Sequence, residues 1–327
     1  MRRREFLLLA AAAAVGACER RAPTANSVRI GHADNIRHSK HLAFVRAQEQ
    51  LHRGGFEVSI FPGGQLGSER ELIEQTQRGV IQITSISNGT LVPFVQRFAL
   101  LDIPFQFTSY AQARSILDGD QGSQLLRSLE AAGLIGLGFW IQGFRHLTTR
   151  SRLVRDLPDL RGLKIRTMQA PLHVLAFQAM GAIPVPMAWS EVYPALEQGV
   201  IDGQENPLAV IYDEQLFRVQ RHVTLTGHIL DPMPVVANKA WLDGLPAERR
   251  QAVQSAFSAA MSYQWQLAEQ AETQYLARLR SETRMSIIEL DDSARERFRT
   301  AAQPRVLQRV REELGDRVVS SWMTAMR

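Results

Sequence analysis

Gly162–Pro207 reads GLKIRTMQAPLHVLAFQAMGAIPVPMAWSEVYPALEQGVIDGQENP. Leu163–Thr167 has the short, β-branched character of a strand, and Leu172–Met180 carries apolar residues on a helical period. Ile183–Met187 predicts a second strand, a further helix starts after Ser190, and Ile201–Pro207 is expected as a polar turn before another helix. Short strands alternating with helices predict a mainly parallel sheet covered by helices. Arg166 falls at the end of the first strand, the edge where open α/β sheets place ligands.

The same alternation extends in both directions. Upstream, Val28–Ala33, Phe56–Phe61, Ile81–Ser85, Phe98–Ile103 and Leu134–Ile141 are expected as strands, with helices over Lys40–Arg53 and Gln121–Ala132. Ser68 and Glu71 form a Ser-x-x-Glu capping box that starts a helix with Leu72, Ile73 and Thr76 facing inward and Gly79 as its stop. Downstream, Val223–Gly227 and Ser286–Leu290 are strand-like, and a helical tail begins at Ser293. Ala247–Arg284 contains neither Gly nor Pro and is rich in Ala, Gln, Glu and Arg. A helix of that length, at about 1.5 Å per residue, outreaches one small domain and is expected to join two.

The 327 residues carry 38 Lys and Arg, 33 Asp and Glu and one Cys, so a disulfide framework and a thiolate-rich zinc site are both excluded. Residues 1–17, MRRREFLLLAAAAAVGA, follow the basic, apolar and small-residue order of an export signal, with an apolar run too short to span a membrane. Arg3-Arg4-Glu5-Phe6-Leu7 resembles a twin-arginine motif, and Val15-Gly16-Ala17-Cys18 resembles a bacterial lipobox that would make Cys18 a lipidation site. Residues 18–26 read as a tether. Without residues 1–17 the net charge is about +3, dispersed along the chain, which excludes a nucleic-acid footprint.

No nucleophile elbow, P-loop, dinucleotide fingerprint or zinc-protease motif is present. His32, His38 and His41 cluster, but a metal site needs another ligand that the spacing does not supply. The paired acids Asp291-Asp292 and Glu312-Glu313 read as solvated charges near helix ends. No catalytic residue, metal or cofactor is expected.

Five ordered segments carry a specific resemblance: Phe61-Pro62-Gly63-Gly64-Gln65-Leu66-Gly67, Leu101-Asp102-Ile103-Pro104-Phe105, Gly162-Leu163-Lys164-Ile165-Arg166, Ala182–Tyr193 and Ile201–Pro207. Together they resemble the substrate-binding proteins of tripartite ATP-independent periplasmic (TRAP) transporters, the DctP family. The resemblance implies an α/β, two-lobed periplasmic-binding-protein fold with a long lobe-bridging helix. Residues 27–143 and 232–270 would form lobe I, and residues 144–231 and 271–327 lobe II.

It also implies a monomer that captures an organic acid, a C4-dicarboxylate or a sugar acid, by closing its lobes and passes it to membrane permease subunits. Arg166 would take the carboxylate, a role that suits the rigid fork of a guanidinium. Asn206 would hydrogen-bond the same group, or serve the turn before Pro207. Arg145 would grip the ligand or tie the lobes, and Trp189 would pack over the ligand or enter a core. Glu69 would accept ligand hydroxyls or simply favour its helix start. Ser87 stands where sialic-acid-binding members have an acid, and with Asn88 it would face the cleft; His32 is a further cleft candidate. The rival readings are a module feeding a membrane sensor and an exported enzyme using Glu69, His32 or His38.

Overall fold

The computed structural model describes residues 26–326; the export signal, Cys18 and most of the tether lie outside them. Among the described residues there are ten strands: β1 Ser27–Gly31, β2 Glu57–Phe61, β3 Ile83–Ser85, β4 Leu134–Thr149, β5 Lys164–Thr167, β6 Ile183–Pro186, β7 Gly203–Pro207, β8 His222–Leu225, β9 Leu230–Asn238 and β10 Ser286–Glu289. In the first lobe the order is β2-β1-β3-β9-β4, parallel across β2, β1 and β3 and antiparallel at β9 and β4. In the second the order is β4-β7-β5-β6, with β8 on the other side of β4 and β10 beyond it.

β4 belongs to both sheets. Its residues 134–144 pair with β9, and Arg145–Thr149 pair with β7. The expected strand Leu134–Ile141 therefore stops short of the real one, which absorbs the crossing through register shifts near Gly138 and Gly143, both at positive φ. Pro232 and Pro234 of β9 lie beyond the reach of β3, which pairs only with Val235–Ala237, so their missing N–H groups break no ladder.

The helix Ala247–Glu282 runs 36 residues and packs on β4 and on the helix Ser39–Arg53. At Ile141 one edge of β4 lacks a strand neighbour, because β7 begins pairing only at Arg145. Gln264 of the long helix fills that gap, accepting from Ile141 N at 2.9 Å and donating to Ile141 O at 2.7 Å. Trp265, fully buried beside it, donates to Phe139 O.

Three expectations are corrected. Phe98–Asp102 of the expected strand Phe98–Ile103 lies in a 3₁₀ helix, Gln96–Asp102, because a short apolar run fits a buried helix as well as a strand. Ile201–Pro207 is not a turn throughout: Gly203–Pro207 is the buried strand β7. The terminal helix Asp316–Ala325 was assigned to lobe II but lies against lobe I, where Trp322 donates to Gln106 and Met326 O accepts from Gln112.

Candidate functional site

Between the lobes lies a cavity lined by residues of both. Lobe I contributes Asp34 from the turn after β1, Ser68, Glu69 and Arg70 from one helix start, Ser87 and Thr90 from another, and Gln142 from β4. The second lobe contributes Arg166, Met168 and Gln169 from the end of β5, Met187, Ala188 and Trp189 after β6, and Asn206 and Val210. The walls therefore converge at the carboxyl ends of the parallel strands.

Arg166 is 4% exposed, yet no carboxylate lies within 4 Å of it among the described residues. Its Nε and Nη2 donate to Met187 O at 3.2 and 2.9 Å, and its guanidinium stands 5.5 Å from the centroid of the Trp189 ring. Burial pulls it down to about 10, with Glu205 opposing the shift, so the group stays charged at neutral pH. A buried cation without a counterion is costly unless an anion arrives. Trp189 is half-buried at the start of the helix Trp189–Glu197 and forms a wall of the cavity.

Across the cavity the charge reverses. Glu69 accepts from Ser87 N at 2.9 Å and from the Thr90 hydroxyl at 3.0 Å, which fixes both of its oxygens. Asp34 pairs with the fully buried Lys40 at 2.6 Å and accepts from Gln142 at 3.2 Å. Burial would raise the Asp34 carboxyl, but Lys40, His38 and His32 outweigh it and hold the group below its ordinary range. Asp34, Lys40 and Gln142 were missed by sequence reasoning: a lone Lys at a helix start reads as exposed, and nothing local signals that it is buried to orient an acid.

The other expected residues are divided. Asn206 lines the cavity; its Nδ2 donates to Gln204 at 2.6 Å and its Oδ1 accepts from Arg145 at 3.1 Å. Ser87 lines it too. Arg145 does not: fully buried, it binds Glu205 through Nε and Nη2 and donates from Nη1 to Asp231 at 2.7 Å. Of its two expected roles, this geometry supports tying the lobes. Asn88 turns away from the cleft and donates to Asp102 at 2.7 Å and to Phe98 O, because its helix packs inward at Gly89. A Cβ at Gly89 would come within 2.8 Å of Ala170 Cβ in the facing lobe.

His32 is also outside the lining: fully buried, it stacks on Phe44 and meets His41 at 3.0 Å, and burial pushes its imidazole down to about 3. His38 caps the helix Ser39–Arg53. Among the described residues no three His, Cys, Asp or Glu side chains are placed to hold a metal ion, and no helix is long and apolar enough to cross a membrane.

Behind Asn206 lies a buried ionic cluster. Glu205 also meets His228 at 3.1 Å and His173 at 3.7 Å, and His173 stands 3.6 Å from Asp102 of lobe I. Burial lowers the His173 imidazole, but Asp102 and Glu205 prevail and raise it to about 9. Burial lifts Asp231 to about 6, Arg145 opposing.

Residues 29–313 match the family model DctP, the bacterial extracellular solute-binding protein family 7. The chain is 40% identical over 232 residues to a solute-binding protein of Verminephrobacter eiseniae, covering 71% of this chain and 69% of that one. It is 34% identical to the 2,3-diketo-L-gulonate-binding periplasmic protein YiaO of Escherichia coli over 83% of both. Its fold matches the sugar acid binding protein DctPAm of Advenella mimigardefordensis, solved in complex with galactonate, with a TM-score of 0.88, 29% identity and coverage of 92% and 97%. On the matched residues and the two-lobed fold together, the chain belongs to the bacterial extracellular solute-binding protein family 7, the DctP family.

Proposed function

We propose that this solute-binding protein captures a hydroxylated monocarboxylate, a sugar acid, by closing its lobes, and delivers it unaltered to the membrane subunits of a TRAP transporter. The observation that carries the reading is Arg166, a buried, charged guanidinium without a carboxylate partner, facing an acidic wall. A carboxylate on Arg166, flanked by the Asn206 amide, neutralises the cation. At the other end Asp34 and Glu69 accept hydrogen bonds from hydroxyls, whereas the cations of that wall, Lys40 and Arg70, are already paired with carboxylates and leave none free for the second carboxylate of a C4-dicarboxylate. The sugar acids named for the diketogulonate-binding relative and the galactonate complex fit this polarity.

Catalysis is not part of the reading. His32 and His38 do not line the cavity, and Glu69 is held as an acceptor by Ser87 N and the Thr90 hydroxyl, which favours a role in binding. The export signal and an acylated Cys18 would place the protein in the periplasm at a membrane surface. Mass spectrometry of the exported protein reads this directly: an unmodified N-terminus beyond Cys18 removes the anchor.

A thermal-shift screen of sugar acids, keto acids and dicarboxylates tests the ligand class, since a ligand at 100 times its dissociation constant stabilises by about 2.7 kcal/mol. Calorimetry of Arg166→Ala should then show a loss of about 2–5 kcal/mol in binding. Unchanged affinity in that variant overturns the assignment of Arg166.

A further inference from the structure

Asp34 and Asn35 are neighbours in the turn after β1 but serve different places. Asp34 lines the inner cavity, while Asn35 crosses to the second lobe, its Nδ2 donating to Glu214 Oε1 at 2.7 Å. Two residues on, Arg37 Nη2 donates to Asp213 O at 2.8 Å. Each side of this contact is braced within its own lobe. Asn35 Oδ1 accepts from Arg37 N at 2.8 Å, an Asx turn, and Asp34 O accepts from Gly63 N. On the far side the Asp213 carboxylate accepts from the Tyr275 hydroxyl of the long helix at 2.8 and 2.9 Å. Because Asn35 and Asp213 are each held within their own lobe, parting of the lobes would pull both bonds apart.

We propose that Asn35–Glu214 and Arg37–Asp213 form a latch that holds the cleft shut and sets how long a bound acid stays, without touching the acid in the inner cavity. The proposal rests on the solute-binding reading of the cleft. Because Asp34 and Asn35 share one braced turn, a ligand hydroxyl held by Asp34 also fixes the donor of the latch. Loss of the latch acts on release rather than capture, since encounter takes place with the cleft open. Two lost hydrogen bonds, each with one charged partner, correspond to a release rate faster by at least about ten-fold even when discounted for their partial exposure.

The test places one spin label on each lobe and measures the distance distribution for the protein alone and with saturating D-galactonate or succinate, alongside stopped-flow release rates. Asn35→Ala with Arg37→Ala should shrink the closed population and speed release, with association nearly unchanged. Glu214→Gln, which keeps an acceptor oxygen, should retain most of the closed population and show that the double variant is not merely misfolded. The latch is overturned if the double variant matches the parent in closed population and release, or if the parent shows no closed population under any condition. Arg166→Ala in the same assay separates the two claims: lost binding there beside an unaffected double variant sinks the latch alone, and retained binding sinks the cleft assignment.

Discussion

Arg166 and Trp189 form a stacked pair at the cavity wall, the guanidinium 5.5 Å from the ring centroid, with the Met187 carbonyl holding the fork from behind. The ring contributes a negative π-face without a formal charge, so it steadies the cation and leaves it free to take an anion. The pair thus pre-organises the fork before a ligand enters.

Trp189→Ala should weaken acid binding by about 1–2 kcal/mol, and Trp189→Phe should restore most of it. Calorimetry with D-galactonate checks this. Equal affinity in the alanine variant would mean that the Met187 carbonyl alone orients Arg166.

Glu69→Gln keeps a carbonyl oxygen for Ser87 N but removes a negative charge from the wall facing Arg166. Sugar-acid affinity should fall several-fold while succinate affinity rises, because one carboxylate is removed and Lys40 keeps only Asp34 as its partner. Parallel titrations with the two acids decide it; a proportional change in both would show that the wall does not select between them.

His173 predicts a pH dependence. The folded protein holds its proton up to about pH 9, against about 6.5 in the unfolded chain. The resulting stability is complete below pH 6.5 and is lost as pH rises towards 9. Urea unfolding at pH 6 and pH 9.5 should therefore show a decline that His173→Gln flattens; Asp231, raised to about 6, acts with the same sign in a lower window.

Gln264→Leu should destabilise the protein by about 2 kcal/mol or more, since it leaves a buried N–H and C=O of Ile141 unpaired where β4 changes sheets. Denaturant unfolding measures this, and Gln264→Glu should be no milder, because its carboxylate would be buried against the Ile141 carbonyl.

Local signals carried most of this architecture. The capping box at Ser68 and Glu71 forms as the spacing predicts, and Leu72, Ile73 and Thr76 are the buried residues of that helix. The helix Ala247–Glu282 ends two residues short of the expected Ala247–Arg284. What local pattern could not show was set by distant partners. β7 looked polar because Gln204, Glu205 and Asn206 are buried against a network drawn from four other segments, and the pattern of the strand is that of its partners. Asn88 turned inward for the same reason, its partner Asp102 lying in a segment misread as strand. Arg166, Trp189, Asn206, Glu69 and Ser87 reached the cavity lining, while Asp34 escaped notice because its setting depends on a buried lysine.

β4 has a consequence for how the molecule comes apart. One apolar cluster runs from Phe98 and Phe139 through Leu147 and Phe177 to Phe298 and Trp322, passing along that shared strand from one lobe to the other. Neither lobe owns a complete set of strands, so neither can melt and leave the other intact. Calorimetric unfolding should proceed as one cooperative transition, with equal calorimetric and van't Hoff enthalpies, although the outline of the molecule suggests two halves.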